Sequence, residues 1–133
     1  MSPKKPPSSG ENRVVLLVDD HSDHRYALAT TLRHAGYTVA EADTGTAALK
    51  LCQKASPGLV LLDVRLPDLN GLKVCRLLKQ NPITQAIPVI FYSAFDSASP
   101  TGIEADALGA SAFLTYPVSD RHLFAVIERH LPA

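Results

Sequence analysis

The sequence predicts an α/β fold, a doubly wound parallel sheet of five strands in the order 2-1-3-4-5 with helices on both faces. Three observations predict it. Five short apolar runs alternate along the chain with stretches of helical spacing. The clearest runs are apolar at every position rather than every second one, as in strands covered on both faces. Several of the runs end abruptly in polar or acidic residues, at the strand ends where open α/β sheets bind ligands. With 133 residues, 46% of them hydrophobic, the chain suits a single core.

The first twelve residues, MSPKKPPSSGEN, are rich in Pro, Lys and Ser and carry almost no apolar surface. Burial cannot offset their ordering entropy, so 1–12 is expected to be a flexible tail and 13–133 the folded domain. Val14 to Val18 forms the first strand and stops at Asp19-Asp20. Ser22 is the expected N-cap of a helix running to His34, with Leu28, Leu32 and Ala35 inward and Gly36 as its stop. Tyr37 to Ala42 is the second strand. A helix from Asp43 or Thr44 then places Ala47, Ala48, Leu51, Cys52 and Ala55 at core spacing.

Pro57-Gly58 breaks the chain before Leu59 to Leu62, a strand that ends in Asp63. Beyond Pro67 and Asn70-Gly71, a third helix turns Val74, Cys75 and Leu78 inward, and Asn81-Pro82 ends it. Pro88 to Tyr92 is the fourth strand. A weaker helical stretch, 100–108, is interrupted by Gly102. Ala110 to Thr115 is the fifth strand, and Asp120 to His130 a last helix burying Leu123, Phe124, Ile127 and Leu131.

Composition narrows the function. Thirteen Lys and Arg balance thirteen Asp and Glu, which argues against direct nucleic-acid binding, where a basic excess displaces phosphate counterions. No apolar run nears the roughly 18–20 residues that span a bilayer. Cys52 and Cys75 lack disulfide or zinc spacing and read as small buried hydrophobes of a cytoplasmic domain.

If strands one and three are neighbours, Asp19, Asp20 and Asp63 meet in one crevice. Carboxylates that close raise one another's pKa unless a cation intervenes, and a hard divalent ion such as Mg²⁺ is the natural resolution. A carboxylate beside Mg²⁺ can attack phosphorus to give an aspartyl phosphate, with a hydroxyl such as that of Ser93 on the phosphoryl oxygens.

The runs VVLLVDD (14–20), LVLLDVRLPDLNG (59–71), FYSA (91–94) and FLTYP (113–117) occur in order and resemble the receiver domain of bacterial response regulators. The resemblance covers 13–131. It implies a flavodoxin-like receiver fold and Asp63 as phospho-acceptor, served by a histidine kinase or phosphotransfer protein. It further implies that Mg²⁺ is held by Asp20 and Asp63, by Asp19 directly or through water, and by the backbone carbonyl of Arg65. Ser93 and Ala94 would contact the phosphoryl group, and Phe113 would be the aromatic whose rotamer tracks activation. A cis bond before Pro117 is also implied, and an aromatic residue there favours it. Side chains at Arg65 and Phe95 would either shield the acyl phosphate from water or simply lie on the surface. The output partner would dock on the face formed by the fourth predicted helix, the fifth strand and the last helix. Residues 80–120 carry four acids and no Lys or Arg. The domain would be a regulatory module rather than an enzyme, either standing alone or belonging to a longer regulator or hybrid kinase.

One position departs from the family pattern. Where the resemblance calls for a lysine before the proline after strand five, this chain has Tyr116. A tyrosine hydroxyl donates a hydrogen bond but brings no positive charge at neutral pH. Two readings follow: a receiver that still accepts phosphate but couples it differently, or a degenerate receiver acting as a phosphorylation-independent interaction module. Retention of all three acids favours the first. A Mg²⁺-dependent phosphohydrolase is disfavoured, because Arg65 stands where such enzymes carry a second acid. A flavin site is disfavoured too, since Asp19-Asp20-His21 would repel its phosphate. His21, His24, His122 and His130 read as exposed helix residues.

Overall fold

A computed structural model describes residues 13–94 and 108–132. Five strands, β1 (Val14–Val18), β2 (Thr38–Ala42), β3 (Leu59–Asp63), β4 (Val89–Ala94) and β5 (Ala112–Tyr116), form one parallel sheet in the order β2-β1-β3-β4-β5. Four helices are described: α1 (Ser22–His34), α2 (Gly45–Ala55), α3 (Gly71–Gln80) and α4 (Asp120–His130). The expected tail, Phe95 and the stretch 100–107 lie outside the described residues; Leu108 is in a turn.

Successive residues of a strand point to opposite faces, and the two halves of the core follow that period. Val15, Leu17, Leu59, Leu61, Ile90 and Leu114 pack on one side with Leu28, Ala29 and Leu32 of α1 and Leu123, Val126 and Ile127 of α4. Leu16, Val18, Val60, Leu62, Val89 and Phe91 pack on the other with Ala48 and Cys52 of α2 and Val74, Cys75 and Leu78 of α3. Each fully buried side chain of this kind is worth about 1.5–3 kcal/mol, so the doubly covered strands dominate the hydrophobic stabilisation.

Several boundaries differ from the sequence expectations for local reasons. Helix α1 is capped at His21 rather than Ser22: the His21 amide donates to Asp19 Oδ1 at 2.9 Å, and the His21 carbonyl accepts the Arg25 amide. Its inward face uses Ala29, whereas Ala35, at the helix end, is exposed. In α2 the cap is Thr44, whose hydroxyl accepts the Ala47 amide, and Ala55 is exposed in the last turn. Val126 takes the buried place expected of Phe124, which is half-buried. The last two strands also shift: β4 runs on through Ser93 and Ala94, which pair with Thr115 and Tyr116, so β5 ends one residue later than expected. Tyr37 precedes β2 rather than beginning it.

Candidate functional site

The period-two alternation that builds the core also builds the site. Counting on from Val15 and Leu17 puts Asp19 on the α1/α4 side of the sheet, and the same count puts Asp63, Tyr92 and Tyr116 there. Asp63 pairs with Tyr92 in register, and Ala94 with Tyr116, so these side chains gather at the C-terminal edge of β1, β3, β4 and β5. Loop geometry fixes Asp63. Gly71 packs so tightly beneath it that a Cβ there would collide with the Asp63 carbonyl oxygen and come within 2.9 Å of Val64 Cα. From the same loop, Asp68 accepts the amides of Gly45 and Thr46 at 2.8 and 3.0 Å, joining it to the start of α2. The Thr46 hydroxyl, which also donates to Asp68, and then those amides hold the Asp68 carboxyl down at about 2.

Asp19, Asp20, His21 and Asp63 each offer a ligand atom, and these atoms lie within 4.8 Å of one another. Asp19 is fully buried. One of its oxygens accepts the His21 amide, and the other meets His24 Nδ1 and the Tyr92 hydroxyl, the latter at 3.0 Å. The Arg25 guanidinium donates to the Asp19 carbonyl at 2.7 Å and to Glu41 at 3.1 Å, tying α1 to the ends of β1 and β2. Asp20 is different: its Oδ1 is buried and accepts no hydrogen bond among the described residues. An orphaned carboxylate oxygen facing a second carboxylate is a poor arrangement without a cation, so the donor set fits a hard divalent ion.

The Asp63 carboxyl is pushed up to about 6, first by burial and then by the charges of Asp19 and Asp20. The Arg65 amide, 3.0 Å from Oδ1, and His21 act in the opposite direction. Ser93 is 5% exposed, and its hydroxyl donates to the Ala94 carbonyl at 3.3 Å. The two residues line a cavity of about 320 Å³ together with Asp63, His24, Tyr92 and Tyr116.

Tyr116 projects into an aromatic cluster. Its ring meets His24 edge-on with centroids 4.6 Å apart and Tyr92 edge-on at 5.1 Å. Burial and the charges of Asp19 and Asp63 drive its hydroxyl well above the usual phenol range, so it stays neutral. The Tyr116–Pro117 peptide bond is cis. Phe113 is partly buried and lies 6.3 Å from Phe91, centroid to centroid, on the α2/α3 side. Arg65 is exposed beside the cavity.

His24 corrects the expectation of an exposed helix residue, because it is half-buried against Asp19, Tyr92 and Tyr116. Tyr92 is a second participant that sequence reasoning missed, having been read only as the end of a strand. The signal was available in the register, since a strand reaching Ala94 puts Tyr92 opposite Asp63. His21 is exposed as expected, yet its Nδ1 lies 3.5 Å from Asp19 Oδ1 and 3.3 Å from Asp20 Oδ1.

Residues 15–128 match the family model of the response regulator receiver domain. The chain belongs to that family. This receiver is 39% identical over 116 residues to the response regulator PleD of Caulobacter vibrioides, covering 86% of this chain and 25% of PleD. It is 33% identical over 114 residues to protein PilH of Pseudomonas aeruginosa, covering 86% of this chain and 93% of PilH. Among solved structures, the chemotaxis response regulator CheY4 of Vibrio cholerae superposes with a TM-score of 0.79 at 28% identity, over 89% of this chain and 98% of that one. The chain therefore spans a quarter of PleD and nearly all of PilH. It is a receiver domain of two-component signalling with an acidic cluster at its strand ends. Receiver domains are regulatory modules that work with histidine kinases or phosphotransfer proteins. Among the described residues, no helix is long and apolar enough to cross a membrane.

Proposed function

We propose that this receiver accepts a phosphoryl group on Asp63 from a phosphohistidine of a histidine kinase or phosphotransfer protein. The observation that carries the reading is the convergence of Asp19, Asp20 and Asp63 beside the buried Ser93 hydroxyl. At neutral pH a carboxyl near 6 is mostly ionised, so Asp63 retains its nucleophilic form. The Arg65 amide occupies Oδ1 and orients the group for attack through the other oxygen. In the transfer, a carboxylate oxygen forms the new O–P bond while the N–P bond of phosphohistidine breaks, its electron pair returning to the imidazole. Mg²⁺ held by Asp20, Asp63 and the Arg65 carbonyl, with Asp19 direct or through water, would neutralise the charge gathered between the acids and the phosphoryl oxygens.

Further roles follow from membership of the receiver family. The Ser93 hydroxyl and the Ala94 backbone receive phosphoryl oxygens, Phe113 responds by changing rotamer, and Arg65 with Phe95 controls the entry of water. Tyr116 supplies at most one neutral hydrogen bond where a lysine would supply charge. Asp19, engaged by His24 and Tyr92, acts chiefly as a fixed negative charge behind the metal position. The output partner docks on the face that includes β5 and α4, the module acts without direct contact to nucleic acid, and it works in the cytoplasm.

Incubation with acetyl phosphate, or with beryllofluoride, in the presence of Mg²⁺ tests the reading. The expected result is one phosphoryl adduct by mass spectrometry, absent in Asp63→Asn, and a change in the amide spectrum with beryllofluoride. Absence of both responses in the wild type overturns it. The neutral Tyr116 in the lysine position supports a second reading, a phosphorylation-independent interaction module. On that reading, Asp63→Asn would bind the output partner as tightly as the wild type does.

A further inference from the structure

A receiver pocket without its ammonium leaves the metal ion as the strongest positive charge available to three acids. What the metal is therefore matters more here than in a pocket with a lysine. The residue after the acid pair is His21, which reaches into the same cluster. Its Nδ1 stands 3.3 Å from Asp20 Oδ1 and 3.5 Å from Asp19 Oδ1, and all four candidate ligand atoms lie within 4.8 Å of one another. Ligands about 2.1 Å from an octahedral ion sit roughly 3 Å apart when adjacent and roughly 4 Å when opposite. The observed spacings therefore need little closing.

The contact between His21 and Asp20 is itself informative. His21 Nδ1 lies within ion-pair distance of both Asp20 Oδ1 and Asp19 Oδ1, and Asp20 Oδ1 accepts no hydrogen bond among the described residues. A dication set among them would meet the imidazole lone pair and both carboxylates at once. Position supports this: His21 is the N-cap of α1, and its amide is fixed by Asp19 Oδ1, which holds the side chain at the mouth of the crevice. The side chain itself is exposed, so its ring can turn toward the site at little packing cost.

We propose that His21 is a direct metal ligand and that its imidazole nitrogen makes this receiver select a first-row transition-metal dication over Mg²⁺. Oxygen-only sites suit Mg²⁺, whereas an added imidazole favours the borderline ions from Mn²⁺ through Zn²⁺. The inference rests on the metal site of the proposed function but concerns binding alone, so it stands or falls without any phosphorylation.

The test is calorimetric titration of the wild type, His21→Ala and Asp20→Asn with Mg²⁺, Mn²⁺ and Ni²⁺, joined to pulsed electron paramagnetic resonance of bound Mn²⁺. Losing even an outer partner of a metal ligand costs roughly 10–100-fold in affinity, so losing a direct ligand should cost at least about tenfold. The expected result is a loss of about tenfold or more for Ni²⁺ and Mn²⁺ in His21→Ala, with Mg²⁺ affinity changed by less than about threefold. Imidazole nitrogen coupling to Mn²⁺ should be present in the wild type and absent in His21→Ala, and the Mn²⁺ site should be lost in Asp20→Asn. Equal transition-metal affinities in the wild type and His21→Ala, or nitrogen coupling that survives in His21→Ala, overturns the proposal. Normal metal selection without any acetyl phosphate adduct would instead overturn the phospho-acceptor reading and leave this one intact.

Discussion

Replacing Asp63 with asparagine in the metal-free protein should make the domain more stable, and only above a defined pH. The Asp63 carboxyl is raised from 3.8 to about 6, chiefly by burial and then by Asp19 and Asp20. A raised carboxyl pKa means that the folded state holds its proton more tightly than the unfolded state. Below pH ~3.8 both states are protonated and Asp63 carries no penalty. Between ~3.8 and ~6 the unfolded chain releases the proton first, so the fold loses stability as pH rises, and above ~6 the penalty is complete. A gap of about 2 units at about 1.36 kcal/mol each sets an upper bound near 3 kcal/mol. Screening at a partly exposed group reduces this to about 1–2 kcal/mol. Asparagine keeps the oxygen that accepts the Arg65 amide and removes the charge, so the difference isolates ionisation. In urea with chelator present, the Asp63→Asn midpoint should lie about 0.5–1 M above wild type at pH 7.5, for an m-value of about 2 kcal/mol/M. The two midpoints should merge near pH 4, and saturating divalent ion should favour the wild type by stabilising it alone. A midpoint difference constant from pH 4 to pH 8, or a less stable Asp63→Asn, would refute the account of the acid cluster.

Other substitutions address the neighbours of this group. Gly71→Ala should cost about 1–3 kcal/mol in denaturant and shift the Asp63 amide resonance, because its Cβ would displace the backbone of Asp63 and Val64. Tyr92→Phe removes a hydroxyl donor from the buried Asp19 carboxylate and should cost about 1.5–3 kcal/mol, read from chemical denaturation at pH 7. Tyr116→Lys returns an ammonium to the crevice, and NMR titration should find the Asp63 carboxyl lowered by about 1–3 units from its value near 6. Asp68→Ala should lower the wild-type midpoint at pH 7 but not below pH ~2, where the wild-type carboxyl is itself protonated and gives up its bonds to the start of α2.

Much of the site was legible because it rides on the strands. Val14 to Val18 and Leu59 to Leu62 are apolar at every position, so their placement in the sheet centre followed from pattern, while the meeting of Asp19, Asp20 and Asp63 needed β1 and β3 as neighbours, which their pairing provides. The cysteines likewise read correctly as buried hydrophobes. Ends were less legible. Ser22 looked like a cap because its side chain is suited to the role, but the Asp19 carboxylate reaches forward and fixes His21 as the cap instead. The fourth strand was expected to stop at Tyr92, yet pairing of Ser93 and Ala94 with Thr115 and Tyr116 extends β4 through both.

The sequence by itself determined the five strands, the acids at their ends and, through the family resemblance, the tyrosine in place of a lysine at position 116, since each depends on residue type, on unbroken apolar runs and on helical spacing. Only the tertiary structure decided what surrounds that tyrosine. His24 belongs to a helix and Tyr92 to a strand two positions away in the sheet, and no local pattern brings either to Asp19. Sheet pairing carries Tyr92 there and packing of α1 across the sheet carries His24, closing them with Tyr116 around a buried carboxylate.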